Sequence, residues 1–206
     1  MYAIVEDNQI TQFINYPKSI VIGDVRYPAK IFTMWSQSEK EAIGIYEIVT
    51  DSTNYKDPAY YNNTNEQYTF ANNQVTKSWG TATPKRLEDE NAVDEDGNPV
   101  LQDGVQVINY GLKTEKKKIV KQQASGLLAP TDWYVVKSTE VADYDIPANI
   151  LSFRADVRTK SNEMETMIDN CTTVDELKAL YEYTNTGTEQ NPVMTRPLPE
   201  FPKEVV

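Results

Sequence analysis

The chain has 206 residues, 39% of them apolar, and 20 basic against 31 acidic side chains give it a net charge of −11. That balance opposes non-specific attraction to nucleic acid phosphates and to anionic membrane surfaces. A single cysteine, Cys171, and no histidine leave no internal disulfide, no cysteine cluster for zinc and none of the usual Ser/His or Cys/His nucleophile pairs.

The length suits one large domain or two small ones. No apolar run approaches the roughly 20 residues that span a bilayer, and Met1 to Asp7 lacks the basic start and apolar stretch of a secretory signal. The expectation is a chain folded in a cytoplasm. The 13 tyrosines suit half-wet strands and interfaces better than a thick aliphatic core.

In chain order, residues 2–5 and 9–14 are β-prone runs around Glu6-Asp7-Asn8, a hairpin signal. A second short hairpin is expected in Ile20 to Pro28, turning at Gly23-Asp24, with Pro17 and Pro28 keeping these pieces at edges. Ser36 precedes Glu39 at capping-box spacing and Gly44 is a natural stop, so a short helix is predicted over Gln37 to Ile43. Ile45 to Thr50 alternates as a strand, and Tyr60 to Phe70 and Gln74 to Trp79 follow as strands about an Asn72-Asn73 turn. Residues 1–80 thus read as a small β-rich domain with one short helix.

Residues 81–112 change character. Prolines at 84 and 99 and seven acids between Glu88 and Asp103 read either as a solvated linker or as a protruding hairpin turning at Gly97-Asn98, with Val105 to Ile108 as an isolated strand.

Helical periodicity begins at Lys113. Leu112, Ile119, Ala124, Leu127 and Leu128 share a face while Lys116, Lys117, Lys118 and Lys121 stay in water. Pro130 breaks this helix, and Trp133-Tyr134-Val135-Val136 fits helix or strand equally. A second long helix starts near Pro147 with a stripe of Ile150, Phe153, Val157, Met164, Met167 and Cys171, interrupted by Lys160, which packs on another helix. Asn170 stops it. Thr173, with Glu176 three residues on, caps a last helix through Leu177 and Leu180. The helical domain is therefore 113–183, and the proline-rich tail 184–206 is expected to run extended over a neighbour. The fold class is α+β.

Candidate chemistry is thin. Asp94-Glu95-Asp96-Gly97-Asn98 invites calcium, but an EF-hand loop has its glycine sixth, and counted from Asp94 the glycine is fourth. An acidic turn fits better. Glu163 and Glu165 stand two apart and diverge on a helix, and Asp143 and Asp145 lie in a polar loop, so neither pair makes an acid/base site for glycosidic bonds. Cys171 has no base nearby in sequence and reads as a packed residue. Trp35, Trp79 and Trp133 suit packing better than a sugar platform. Arg154 and Arg158 pair either with an acidic partner or with carboxylates of their own helix. No catalytic residue, cofactor or metal is expected.

The segment Leu127-Leu128-Ala129-Pro130-Thr131-Asp132-Trp133, then Ile146-Pro147, then Phe153-Arg154-Ala155-Asp156-Val157-Arg158 resembles the C-terminal region of phage tail-fibre assembly proteins. That family shows a leucine pair, a Thr-Asp-Trp and a Tyr-Arg-x-x-Leu-Arg helix; phenylalanine and valine here replace the tyrosine and leucine. Upstream, Ala42 to Val49 followed by Tyr55-Lys56-Asp57-Pro58 is similar to a Leu-Gly-Tyr-Tyr-x-Val plus Tyr-Asp-Pro stretch of related tail proteins. The similarity covers most of residues 35–170, and the tail lacks a tryptophan often found there. The resemblance implies a non-catalytic protein that helps a trimeric tail fibre or adhesin fold and attach, either kept in the virion tail as a structural or baseplate component or leaving as a chaperone. It further implies fibre or baseplate partners, with self-association open, and points to Trp133, Tyr134, Phe153, Arg154, Val157 and Arg158 as partner-binding residues. A receptor- or glycan-binding module is the remaining alternative.

Overall fold

A computed structural model describes residues 1–204. It is α+β and divides into two compact units, Met1–Pro84 and Lys85–Val206. Val205 and Val206, the end of the expected tail, lie outside the described residues.

The first unit holds β1 (Tyr2–Glu6), β2 (Gln9–Ile14), β3 (Ile20–Ile22), β4 (Val25–Tyr27), α1 (Ile31–Met34), α2 (Gln37–Glu41), β5 (Ile45–Thr50), β6 (Tyr61–Asn62), β7 (Gln67–Ala71), β8 (Gln74–Ser78) and β9 (Thr83–Pro84). Five strands form one sheet in the order β2-β1-β5-β8-β7, all neighbours antiparallel except β5 and β8. Both outer hairpins turn on two residues in the left-handed region, Asp7-Asn8 and Asn72-Asn73. This geometry matches the twist of the flanking strands.

Strand β1 lies inside the sheet, and Ala3, Ile4 and Val5 are all buried, which requires both sheet faces to be covered there. On one face Ile4, Ile14 and Ile45 pack under the β3–β4 hairpin and α1, through Ile20, Ile31 and Phe32. On the other, Ala3, Val5 and Val75 meet Ile10, Tyr46 and Phe70. The sheet curls over this second face. Phe13 on edge strand β2 and Tyr68 on the opposite edge, β7, bring their ring centroids to 4.5 Å, and Tyr46 and Phe70 stack beneath at 4.8 Å.

Helix α2 carries the expected capping box between Ser36 and Glu39, but ends at Glu41 rather than Ile43. The chain then turns through Gly44 at φ +81°, and the Gly44 carbonyl accepts the Val5 N–H at 2.8 Å, beside the register shift between Ile4 and Val5. The run Tyr60 to Phe70 is not one strand, since Asn63 to Glu66 interrupt it. Helix α1, a single turn, had no periodic signal.

The second unit holds β10 (Glu90–Asn91), β11 (Leu101–Gln102), β12 (Val105–Gln106), β13 (Ile108–Asn109), α3 (Leu112–Leu128), a 3₁₀ turn (Ala129–Thr131), α4 (Asp132–Glu140), α5 (Ala148–Asn170), α6 (Val174–Ala179), β14 (Thr184–Asn185) and β15 (Met194–Thr195). The acidic stretch is thus paired structure: β10 joins β13, β11 joins β12, and Val93 bridges Pro99 around the Asp94–Asn98 turn. The unit boundary accordingly lies at Pro84, and residues 85–111 belong with the helices. Asp89 ties the two parts together. Its carboxylate accepts the Gly111 N–H at 2.7 Å and the Thr114 hydroxyl at 3.0 Å, satisfying a donor at the start of α3. The Gly111 hydrogen bond foremost holds the Asp89 carboxyl below the ordinary range.

Helices α3 and α5 run antiparallel, packed through Val120 and Ala124 on one and Phe153 and Val157 on the other. Three positions differ from the expected stripes. Val120 is buried where Ile119 was expected, and Ile119 is 45% exposed. On α5 Ser161 is buried and not Lys160, beside Arg154 as a second buried polar residue, and Ile168 is buried where Met167 was expected. Each is a one-residue phase error, to which a 3.6-residue period is prone where neighbouring residues both suit the stripe. Lys117 and Lys121 also bond across the pair, to Asp169 at 2.7 Å and Glu165 at 3.2 Å. Cys171 is buried, and burial pushes its thiol up.

The tail is corrected too. Instead of running out over a neighbour, it forms the β14–β15 hairpin and returns to its own unit. The Leu198 N–H bonds the Leu180 carbonyl at 3.0 Å, Leu198 is 2% exposed, and Phe201 joins the Ala124–Phe153–Val157 cluster.

Two outcomes follow from these contacts. Gly44→Ala is expected to destabilise the first unit by about 1–3 kcal/mol in denaturant titration, through strain at a positive φ and a Cβ only 2.6 Å from the Val5 oxygen; an unchanged midpoint would show that the turn at Gly44 is not a constraint. The lowered carboxyls of Asp89 and of Glu176, the latter held mainly by the Thr172 N–H, contribute stability that is present above their unfolded values of about 4 and lost as pH falls through their lower folded values. The helical circular dichroism melt should therefore drop on acidification, and Asp89→Asn should weaken that dependence; an identical acid limb in the variant would remove Asp89 from the account.

Candidate functional site

The residues singled out in the sequence meet at the open end of the α3–α5 pair. Pro130 stops α3, the 3₁₀ turn redirects the chain, and α4 begins at Asp132, so Trp133 to Val136 are helical. Arg154, on α5, reaches back into this corner. Its Nη1 donates to the Leu128 carbonyl at 3.2 Å, the Thr131 hydroxyl oxygen at 2.5 Å and the Asp132 carboxylate at 2.8 Å. The Thr131 hydroxyl donates in turn to the Leu128 carbonyl at 2.7 Å. Thr131 is fully buried and Arg154 is 7% exposed, whereas Asp132 is open to solvent. The guanidinium therefore satisfies a helix-end carbonyl and pairs with a carboxylate that keeps much of its water.

Half of the expected partner-binding set is buried. Phe153 and Val157 are 4% and 0% exposed, packed against Ala124, Leu127, Leu128 and Phe201, and Arg154 is spent on the corner. Phe153 and Val157 build the site from behind, and Arg154, bonded into the corner, lines a groove beside Arg158. Trp133, Tyr134 and Arg158 remain accessible. Trp133 is 50% exposed, Tyr134 half-buried, their ring centroids 3.8 Å apart. Arg158 is exposed and bonds only the Arg154 carbonyl, at 3.3 Å, among the described residues.

Helix α4 has no buried residue. Val136, one turn from Trp133, is 52% exposed and Val135 36%, and the Lys137 ammonium lies over both the Trp133 and the Tyr144 rings. A nine-residue helix is too short to persist in water on its own. What holds it is the corner bonded by Arg154. Sequence reasoning missed Thr131 and Asp132 as the partners of Arg154; the signal was present as a threonine and an acid just past a helix-breaking proline, with an arginine one helix later. It also missed Leu198 and Phe201, which lie in a stretch with no periodicity.

Elsewhere the candidates are structural. The Asp94 carboxylate accepts the Asp96 and Asn98 N–H groups at 3.0 and 2.8 Å, closing its own turn. Among the described residues no three His, Cys, Asp or Glu side chains converge as a metal-binding group, and no helix is long and apolar enough to cross a membrane. Comparison of the chain with models of known families, with curated proteins and with solved structures finds no match.

Arg154→Ala is expected to destabilise the helical unit by about 1–3 kcal/mol, because the buried Thr131 hydroxyl oxygen loses its donor and the Leu128 carbonyl loses one of its two side-chain donors. Asp132→Asn should cost under about 1 kcal/mol, since that carboxylate is exposed. Thermal denaturation of both variants checks the order; equal losses would mean that the ion pair, and not the backbone bond, holds the corner.

Proposed function

We propose that the chain is a non-catalytic bacteriophage tail protein of the tail-fibre assembly type, which binds a tail fibre, adhesin or baseplate protein along α4 and stays in the virion tail as a structural component. Assembly takes place in the host cytoplasm. The observation that carries this reading is α4 itself, a helix that presents Trp133, Val135 and Val136 to solvent while burying nothing of its own. Exposed aromatic and aliphatic side chains on a positioned helix fit the anchors of a protein interface. The resemblance supports the same assignment, because its most specific residues, Leu128, Thr131, Asp132, Trp133 and Arg154, are the ones that build the corner and aim the helix.

The contact residues on this reading are Trp133, Tyr134 and Arg158, with Val136 added. Phe153, Arg154 and Val157 act behind them as positioning residues.

Trp133→Ala should weaken binding to the tail-fibre protein of the source virus by at least about 2 kcal/mol, roughly thirtyfold in Kd, with an unchanged melting curve because Trp133 is half exposed. Unaltered binding by a folded variant removes α4 as the interface. Quantitative mass spectrometry of purified particles then separates the two fates: a fixed ratio to the major tail proteins marks a resident component, and absence from particles with abundance in lysate marks a chaperone that departs.

A further inference from the structure

Charge is unevenly distributed over the second unit. Two adjoining grooves, one of about 530 Å³ along α3 and one of about 400 Å³ between α3 and α5, share Lys121 and Ser125, volumes in the range that receives a ligand or a short peptide segment. Their walls carry Lys117, Lys118, Lys121, Arg154 and Arg158 against two acids, Glu115 and Asp132. In a chain of net charge −11 this is a local excess of the opposite sign. Lys117, Lys121 and Arg154 already have carboxylate partners. Among the described residues Lys118 and Arg158 have no carboxylate within ion-pair distance.

The complement is on the same unit. The Asp94–Asn98 turn projects from the Val93–Pro99 bridge, and Asp94 is consumed in bonding its own backbone. Glu95 and Asp96 are left exposed, with no cation partner among the described residues. The turn is internally bonded, so little freedom is lost when it docks.

We infer that these two adjoining grooves together receive the acidic turn of a second copy of this chain, with Glu95 and Asp96 set against Lys118 on α3 and Arg158 on α5. Turn and groove are different patches, so the contact is head to tail and extends to rings or open chains instead of stopping at a two-fold dimer. The net charge opposes this at long range. At physiological salt that repulsion decays over about 8 Å, while charges in direct contact lie well inside that length.

Sedimentation velocity of the full chain over a concentration series tests the inference without any fibre protein. The expected result is a weight-average sedimentation coefficient that rises with concentration at about 0.15 M salt and returns to the monomer value at about 1 M, where the screening length falls to about 3 Å. Lys118→Glu with Arg158→Glu, and separately Glu95→Lys with Asp96→Lys, should each weaken association at least about tenfold. Mixing the two reversed variants should restore it, because each then offers the other a matched turn and groove. A wild-type chain that sediments as a monomer throughout overturns the inference, as does association that ignores both reversals or fails to return on mixing folded variants.

Discussion

One guanidinium decides what the helical unit can present. Two helices of this length, packed antiparallel through Val120, Ala124, Phe153 and Val157, end in a proline-terminated corner at the Leu128 carbonyl. Arg154 donates to that carbonyl from the opposite helix, beside the Thr131 hydroxyl, and bonds Thr131 and Asp132 in the same reach. An arginine suits this position because its planar fork can serve several acceptors while its stem packs against apolar neighbours. With the corner set, the next residue is Trp133 and the following turn of chain has no choice of direction. A short helix with nothing buried thereby gains a defined orientation.

The first unit solves a different problem. A five-stranded sheet with apolar side chains on both faces needs two covers. The β3–β4 hairpin and α1 provide one; the sheet provides the other by curling until its two edges meet at Phe13 and Tyr68. Edge strands are open templates for pairing, and drawing β2 towards β7 shields both. The Gly44 turn and the register shift in β1 belong to the same device, since extra twist at a bulge is what lets a small sheet bend this far.

Much of this was legible because local chemistry and tertiary structure agree. The Asp7-Asn8 and Asn72-Asn73 turns, the capping boxes at Ser36 and Thr173, and the Pro130 break each stand where side-chain chemistry places them. The division into a β-rich part and a helical part was legible for the same reason. What could not be read was anything set by long-range pairing. Two-residue strands such as β10 and β13 carry no period, so the acidic stretch reads as linker or hairpin until its partners are known. Leu198 is buried and Phe201 partly buried only because residues far upstream in the chain receive them. The candidate site shows the limit most clearly: Phe153, Arg154 and Val157 were found by their wording, but only burial separates residues that touch a partner from residues that hold the contact surface in place.

The return of the C-terminal segment has a consequence for synthesis. The cluster of Ala124, Phe153 and Val157 is completed by Phe201, and the Leu180 carbonyl by the Leu198 N–H. While the chain is still being translated, the helices emerge before Leu198 and Phe201, so an apolar notch stays open until those residues follow. The N-terminal unit, whose sheet closes entirely within residues 1–84, has no such delay and can fold first. Order of emergence from the ribosome thus sets the order of assembly, and the helical unit is completed only once Leu198 and Phe201 have joined the helices that precede them.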